Sequence, residues 1–536
     1  MSGATATTPA RTVAGSADHA GGMSGLARRG LGSLLGAGIG AVATFVLTVV
    51  VTRGAAPAEA GVFFVATSLF LVLASLCALG TQTGLVYFVA RSGATDGYRL
   101  VRGWLRVALP PVVVVSLLVG AVLAGSAEWV GRLVDAGAAP GESESLAGFL
   151  RLLAVALPLV ALYEALVAAT QGFHTVRPTT LVERIGRPAL QLVLVTGALL
   201  AGGGLLLPLA WVAPYAALLV VVALWLRALL RTGAGAAPAD RAVGDARRFW
   251  SYTGPRGLAG LGQIALQRLD IVLVAVLLDA VSAAVYTAAT RFVALSQLGN
   301  NAVAQAVQPK LAALLAVGDR AAARTVYQTA TAWVVIATWP IHLAVIAAAP
   351  YVVTIFGPGY GGAEPVVVLL AGAMLVATGC GMVTVVLVMA GKTWWNLANI
   401  GVALVVTIAL DLVLVPRIGI IGAGIGWAAA LVIGNLLPLW QIWRHLGLHP
   451  FGRATGLAYG IAATCFGLVP LLGRLLGGRQ GALTGLGAGL IVYVVWVWRE
   501  RRGLGLSELA RSAAASNESL GGERHGEHVR ADPEGS

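Results

Sequence analysis

Leu258-Ala-Gly-Leu-Gly-Gln263-Ile-Ala-Leu-Gln267-Arg268-Leu-Asp270-Ile-Val-Leu-Val-Ala-Val-Leu-Leu278 is the stretch on which the fold turns. A bilayer core of about 30 Å needs roughly 20 apolar residues as a helix, and a helix satisfies its own backbone groups where water is absent. The quoted segment meets that length, and it repeats. Spans are predicted at 31–52, 61–80, 104–125, 148–171, 180–201, 205–229, 256–278, 282–306, 326–349, 365–390, 394–415, 418–443, 454–476 and 483–498. The fold class is therefore an all-α polytopic membrane protein with about 14 transmembrane helices.

Composition agrees. Of 536 residues, 58% are hydrophobic and only 11% are charged, against about a quarter charged in soluble proteins. The net charge of +13 does not mark a nucleic-acid partner, because the arginines fall in alternate loops, as membrane topology requires. Arg28, Arg29, Arg91, Arg99, Arg102, Arg177 and the 227–256 region lie on one side, with Lys392, Arg444 and Arg499. Glu128, Asp135, Glu142, Asp279 and Glu364 lie on the other, and Arg53, Arg132, Arg417, Arg474 and Arg479 are exceptions. The asymmetry predicts a multi-pass bacterial plasma (inner) membrane protein with both termini cytoplasmic. Cys77, Cys380 and Cys465 all sit inside apolar spans and read as small hydrophobes. No cofactor or metal is implied.

The chain divides into a disordered cytoplasmic tail (1–29), an N-lobe of six helices (30–229) and a cytoplasmic linker (230–250). A C-lobe of six helices (251–446), two further helices (447–498) and a disordered cytoplasmic tail (499–536) complete it. Ala60-Gly-Val-Phe-Phe-Val-Ala-Thr67 resembles Ala283-Ala-Val-Tyr-Thr-Ala-Ala-Thr290 at the same place in each lobe, as parallel pseudo-repeats require.

Ionisable groups inside spans are the residues with something to do, since each costs a few kcal/mol in hydrocarbon. Gln263, Gln267 and Asp270 share one face of the seventh span, and Thr290, Gln297, Asn301, Gln305 and Gln308 share one face of the eighth. Arg268 and Arg291 are offset from those stripes. Two readings stand: the wall of a hydrated cavity, or interhelical hydrogen bonds that hold the bundle together. Arg291 needs either a carboxylate, with Asp270 the nearest candidate, or a phosphate on a substrate. In the N-lobe, Arg184, Arg187 and Gln191 share a face at the end of the fifth span, and Glu164 lies deep in the fourth. Arg187 reads as an anchor or a substrate contact, Glu164 as a structural carboxyl or a proton-coupling site. His342 follows Trp339-Pro340, where the proline should kink the ninth span. Gly391-Lys392-Thr393 lacks the preceding glycine of a phosphate-binding loop, and Asn517-Glu518-Ser519 lies in a cytoplasmic tail, so neither carries function. No catalytic constellation appears, and the chain is not read as an enzyme.

With these residues the chain resembles the Wzx-type polysaccharide biosynthesis flippases, within the multidrug/oligosaccharidyl-lipid/polysaccharide exporter superfamily. The stretches concerned are Arg29-Gly-Leu-Gly with Thr52-Arg-Gly-Ala-Ala-Pro-Ala-Glu-Ala-Gly61, Gln267-Arg-Leu-Asp270-Ile-Val-Leu-Val, and Val415-Pro-Arg-Ile-Gly-Ile-Ile-Gly-Ala-Gly-Ile-Gly426. The resemblance implies two lobes around a central cavity that opens alternately to either side, moving a polyprenyl-diphosphate-linked oligosaccharide to the outer leaflet for cell-surface polysaccharide biosynthesis. It implies that Arg291, Arg268 and Arg187 hold the diphosphate, while Gln263, Gln267, Gln297 and Asn301 contact sugars. Asp270 and Glu164 are the ion-coupling candidates. Partners would be that lipid-linked oligosaccharide, membrane lipids, and glycosyltransferases or a polymerase of the same pathway. The alternatives are an ion-coupled multidrug/cation antiporter on the same architecture, a lipid II flippase, and a membrane-embedded polymerase. The last would need a larger outer loop than 126–147.

Overall fold

The computed structural model describes residues 18–96, 98–134, 142–175, 177–233 and 246–504, and these residues are helical with short connections. The expected tails fall largely outside them, at residues 1–17 and 505–536, as does the centre of the expected linker, 234–245. Helix α1 (Asp18–Gly54) begins twelve residues earlier than the expected domain boundary. Helices α2 (Pro57–Cys77) and α3 (Thr81–Asp96) follow, separated by a break at Ala78–Gly80. The N-lobe is completed by α4 (Val101–Val134), α5 (Glu142–Gln171), a π-helical segment (Thr179–Gly186) running into α6 (Arg187–Leu200), and α7 (Leu206–Gly233).

The C-lobe opens with α8 (Ala246–Leu277), so Arg247 and Arg248 are helical and the linker is shorter than the composition shift suggested. Then come α9 (Ala280–Ala316), α10 (Arg320–Ala347), a single turn α11 (Ala349–Val352), α12 (Glu364–Gly379), α13 (Val383–Met389), α14 (Thr393–Ile418) and α15 (Ile420–Leu446). Helices α16 (Arg453–Ala462) and α17 (Val469–Arg499) form the trailing pair. The non-helical residues Gly477 and Gly478 fold α17 back on itself as a hairpin, with Gly473 packed on Gly481 and Gly489 on Cys465. Eleven segments among the described residues are long and apolar enough to cross a membrane. Counting the α17 hairpin as two and adding the short α6 and the more polar α9, each of the fourteen expected spans has a helix.

Helix α2 holds the lobes together. It buries a continuous run from Ala60 to Ser68 and packs on α5 within its own lobe and on α8 and α9 across the interface. Lipid tails are as apolar as leucine, so helices associate here by close packing of small residues. Gly61 is the tightest case: a Cβ there would run into the carbonyl of Ala280 at the start of α9. The two segments that resemble each other in sequence thus meet at the lobe interface. At the same end, Arg53 donates to the carbonyls of Ile355 (2.6 Å) and Thr354 (3.0 Å), which explains an arginine on the wrong side of the charge pattern. Arg417 likewise donates to the Val413 carbonyl of its own last turn, at 2.6 Å. At the opposite end, Tyr87 of α3 stacks on Tyr252 of α8 with ring centroids 4.3 Å apart. The trailing pair leans on α10, with the Tyr493 hydroxyl donating to the Ile336 carbonyl at 2.6 Å.

Gly61→Val should force α2 off α9 and cost about 1–3 kcal/mol, the usual range for overpacking a tight site. Thermal unfolding of the purified protein in detergent checks it, with Gly38→Val, at a glycine that has no neighbour within 4 Å, as the matched control.

Candidate functional site: a basic chamber between the lobes

A chamber of about 480 Å³ lies between the lobes, reached by α1, α2, α5, α6 and α7 from one side and by α8 and α9 from the other. The face of α8 turned to it carries Gln263, Gln267 and Arg268. Arg291 enters from α9, and Arg187 and Glu164 from the N-lobe. Thr44, Thr48 and Thr67 line α1 and α2, where their hydroxyls bond back to carbonyls of their own helices.

Arg187 is placed by a distortion of the backbone. Its N–H reaches back five residues to the Val182 carbonyl, closing a π-helical turn, and Pro188 beside it has no N–H to donate. The widened turn sets Glu183 and Arg187 against each other, with contacts of 2.9 and 2.8 Å. Gln191 accepts from the same guanidinium at 3.1 Å, and Gln191 in turn donates to the Trp211 carbonyl at 2.9 Å. The guanidinium carbon lies 5.6 Å from the centre of the Tyr215 ring.

Arg268 and Arg291 are different. Among the described residues neither has a carboxylate within 4 Å, since the ion pairs there are Arg187–Glu183 and Arg151–Glu128. Both arginines also line a second recess of about 290 Å³, running toward α1 and shared with Glu183, Arg184 and Arg187. The Nε of Arg291 is buried without a hydrogen-bond partner. Two guanidinium groups without acids, beside a third that is paired, give this chamber a basic wall of the kind that suits an anion.

The expected pairing of Asp270 with Arg291 does not form. Asp270 is about 160° around α8 from Arg268 and turns away from the chamber into the C-lobe. It is 1% exposed, accepting from the Tyr286 hydroxyl at 2.7 Å and from the Ile271 N–H at 2.8 Å. A second acid of the C-lobe interior, Asp411 of α14, is packed against Gly426 of α15. Asp411 is fully buried, and neither of its oxygens has a hydrogen-bond partner. The sequence reading passed over Asp411, although an acid amid Val405–Val415 is the same signal that flagged Asp270. It also passed over Glu183, whose i,i+4 spacing to Arg187 was visible.

The polar stripe of α9 is divided between sites. Gln297 lines a separate C-lobe recess of about 210 Å³ with Gln263, Gln267, Asn396 and Asn399. Asn301 lines none of these spaces. Glu164 accepts from the Gln82 amide at 2.6 Å and also borders a fourth space, of about 790 Å³, next to α3. His342 is buried against the Thr338 carbonyl, with its Nδ1 at 2.8 Å. Among the described residues no group of His, Cys, Asp and Glu could hold a metal ion, and the three cysteines are buried free thiols.

A family profile described as polysaccharide biosynthesis protein matches residues 50–361. The chain belongs to that family. No curated protein sequence matches it significantly. Among solved structures, the lipid II flippase MurJ in an inward closed conformation superposes with a TM-score of 0.66 at 12% identity, covering 86% of this chain and 99% of that one. An inward-facing MATE multidrug transporter gives 0.60 at 17%, covering 76% and 95%. A transporter of the same superfamily from Pyrococcus furiosus gives 0.54 at 18%, covering 78% and 95%. At these identities the likeness concerns the fold, and the fold of this polysaccharide biosynthesis protein is that of the MOP superfamily transporters. The resemblance read from the sequence holds for both family and architecture.

Glu183→Gln removes the charge that compensates Arg187 and should cost about 1–2 kcal/mol, between the ranges for surface and buried pairs. A double-mutant cycle with Arg187→Leu, read by unfolding in detergent, should recover most of that loss as coupling energy.

Proposed function

We propose that this protein translocates a polyprenyl-diphosphate-linked oligosaccharide from the cytoplasmic to the outer leaflet of the plasma membrane, by alternating access, for cell-surface polysaccharide biosynthesis. The observation that carries this is Arg268 and Arg291 facing the inter-lobe chamber without acids. A guanidinium is costly in hydrocarbon and is retained where it meets a partner; a diphosphate is a doubly acidic partner with the right oxygen spacing for two forks. Family membership supplies the polysaccharide context. In this reading both termini are cytoplasmic, and the glycosyltransferases or polymerase of the pathway are the functional partners.

Coupling to an ion gradient falls to the buried pair Asp270 and Asp411 with Tyr286 between α8, α9 and α14, rather than to Asp270 at the chamber wall. A buried carboxylate with neither oxygen partnered, in the same lobe as a second buried acid, is suited to take up a proton, and its charge then bears on the packing of these helices. A drug/cation antiporter on this fold would present mainly acids to its cargo, whereas three arginines face this chamber against Glu164 and Glu183. Lipid II carries the same diphosphate, so the cargo's mass separates that reading from the leading one.

Cells carrying Arg291→Ala at normal protein level should lose surface glycan and accumulate one diphosphate-linked saccharide, identified by mass spectrometry of polyprenyl lipids. Full retention of glycan sinks the assignment, and accumulation of lipid II moves the protein to the peptidoglycan pathway. Asp411→Asn in proteoliposomes should abolish the dependence of lipid flipping on an imposed ion gradient; an undiminished gradient response would remove Asp411 from the coupling role.

A further inference from the structure

The space of about 790 Å³ between α3, α5 and α8 plays no part in the anion site. Its volume lies within the roughly 300–1,000 Å³ usual for small-molecule sites. It is continuous with the basic chamber, since Gln82, Glu164 and Glu183 border both. Its wall is of another kind, however. Tyr87 and Tyr252 stack at 4.3 Å. Arg256 lies over the Tyr252 ring at 3.6 Å, and Arg91 donates to the Tyr87 hydroxyl at 3.3 Å, so both rings are held in place. Opposite them is Glu164, whose partner is the neutral amide of Gln82 at 2.6 Å; no cation lies within 4 Å of it among the described residues.

Resting on the flippase reading, we propose that this space is the saccharide subsite, taking the sugar attached to the diphosphate held by Arg187, Arg268 and Arg291. An ionised carboxylate has about four acceptor positions, of which the Gln82 amide takes one, leaving the rest for hydroxyl or amide N–H donors of a sugar. Tyr252 is covered by Tyr87 on one face and by Arg256 on the other, so it supports the stack, while Tyr87, 39% exposed, offers its outer apolar face to the C–H side of a pyranose. The diphosphate is better placed in the chamber than here, because Glu164 and Glu183 line this space against the single arginine Arg91, whereas three arginines line the chamber. The polyprenyl tail is unsuited to it as well, because burying Glu164, Gln82 and Gln171 against hydrocarbon would strand polar groups. What remains of such a cargo is its uncharged, hydroxyl-rich head. The subsite reads that head beside the anion site, so Glu164 acts in specificity rather than in ion coupling.

The test uses the full-length protein in nanodiscs, with binding of undecaprenyl diphosphate and of undecaprenyl-diphosphate-N-acetylglucosamine followed by native mass spectrometry. The wild type should prefer the sugar-bearing lipid by about tenfold, equivalent to about 1.4 kcal/mol. Glu164→Gln, which keeps the side-chain shape, and Tyr87→Leu, which removes the exposed aromatic face, should each bring the two lipids toward parity. Arg291→Ala should weaken both lipids together and leave their ratio in place. Parity in the wild type, or an unaltered preference in both subsite variants, overturns the subsite while the flippase reading stands. Failure of the wild type to bind either lipid overturns the flippase reading itself.

Discussion

A charged side chain in the hydrocarbon core needs an opposite charge, water or a ligand, and every polar residue of this bundle is arranged under that constraint. Arg187 meets it with Glu183, Gln191 and the ring of Tyr215. Asp270 meets it with a tyrosine hydroxyl and a backbone N–H. Glu164 meets it with an amide. The remainder are Arg268 and Arg291 in the chamber and Asp411 in the C-lobe interior. The unpaired cations line a chamber between the lobes, and the unpaired acid is fully buried within the C-lobe.

The anion site is divided between the lobes. Arg187 belongs to the N-lobe, while Arg268 and Arg291 belong to the C-lobe. Any rocking of one lobe on the other changes the spacing of the three guanidinium groups, so a diphosphate bound by all three stabilises the arrangement in which they converge. A ligand shifts a conformational equilibrium only by its differential affinity for the states, and a split receptor supplies that difference directly. Asp270 and Asp411 are both within the C-lobe, so their occupancy acts on the packing of α8, α9 and α14 and reaches the anion site through α8, which carries both Asp270 and Arg268.

The architecture was legible because it rests on span length and apolarity, and even the short α6 and the more polar α9 announced themselves by position. The chamber was partly legible. Spacing on α8 identified Gln263 and Gln267 as one face, but it put Asp270 on that face as well. The rotation of α8 is set by α2, α9 and α14, and the helix shows the chamber the side between Gln263 and Arg268, turning Asp270 inward to Tyr286. The α9 stripe failed for a similar reason, since a helix of 37 residues passes several environments along its length. The π-helical turn that aims Arg187 has no periodic signature, because it arises from a local choice of hydrogen-bond partner next to Pro188. Asp411 was readable from its isolation in an apolar span.

The seams at the two ends of the chamber bear on how such a bundle can move. At the Arg53 end, charge-assisted hydrogen bonds to Thr354 and Ile355 join α1 to the C-lobe, and Gly61 lets α2 press on α9. At the Tyr87 end, an aromatic stack joins α3 to α8. Hydrogen bonds to a charged group contribute about 1.5–3 kcal/mol each, and an aromatic pair about 0.5–1.5 kcal/mol beyond its buried area. The Tyr87 end is held by packing of rings and small residues, with Phe88 on Phe249 and Gly80 against Gly257 beside the stack. It is also the end on which Arg91, Arg99 and Arg102 cluster, the side that the charge pattern assigns to the cytoplasm. In the proposed reading, a cargo loaded from that side enters beside the Tyr87–Tyr252 stack and meets the rings that border the space behind it.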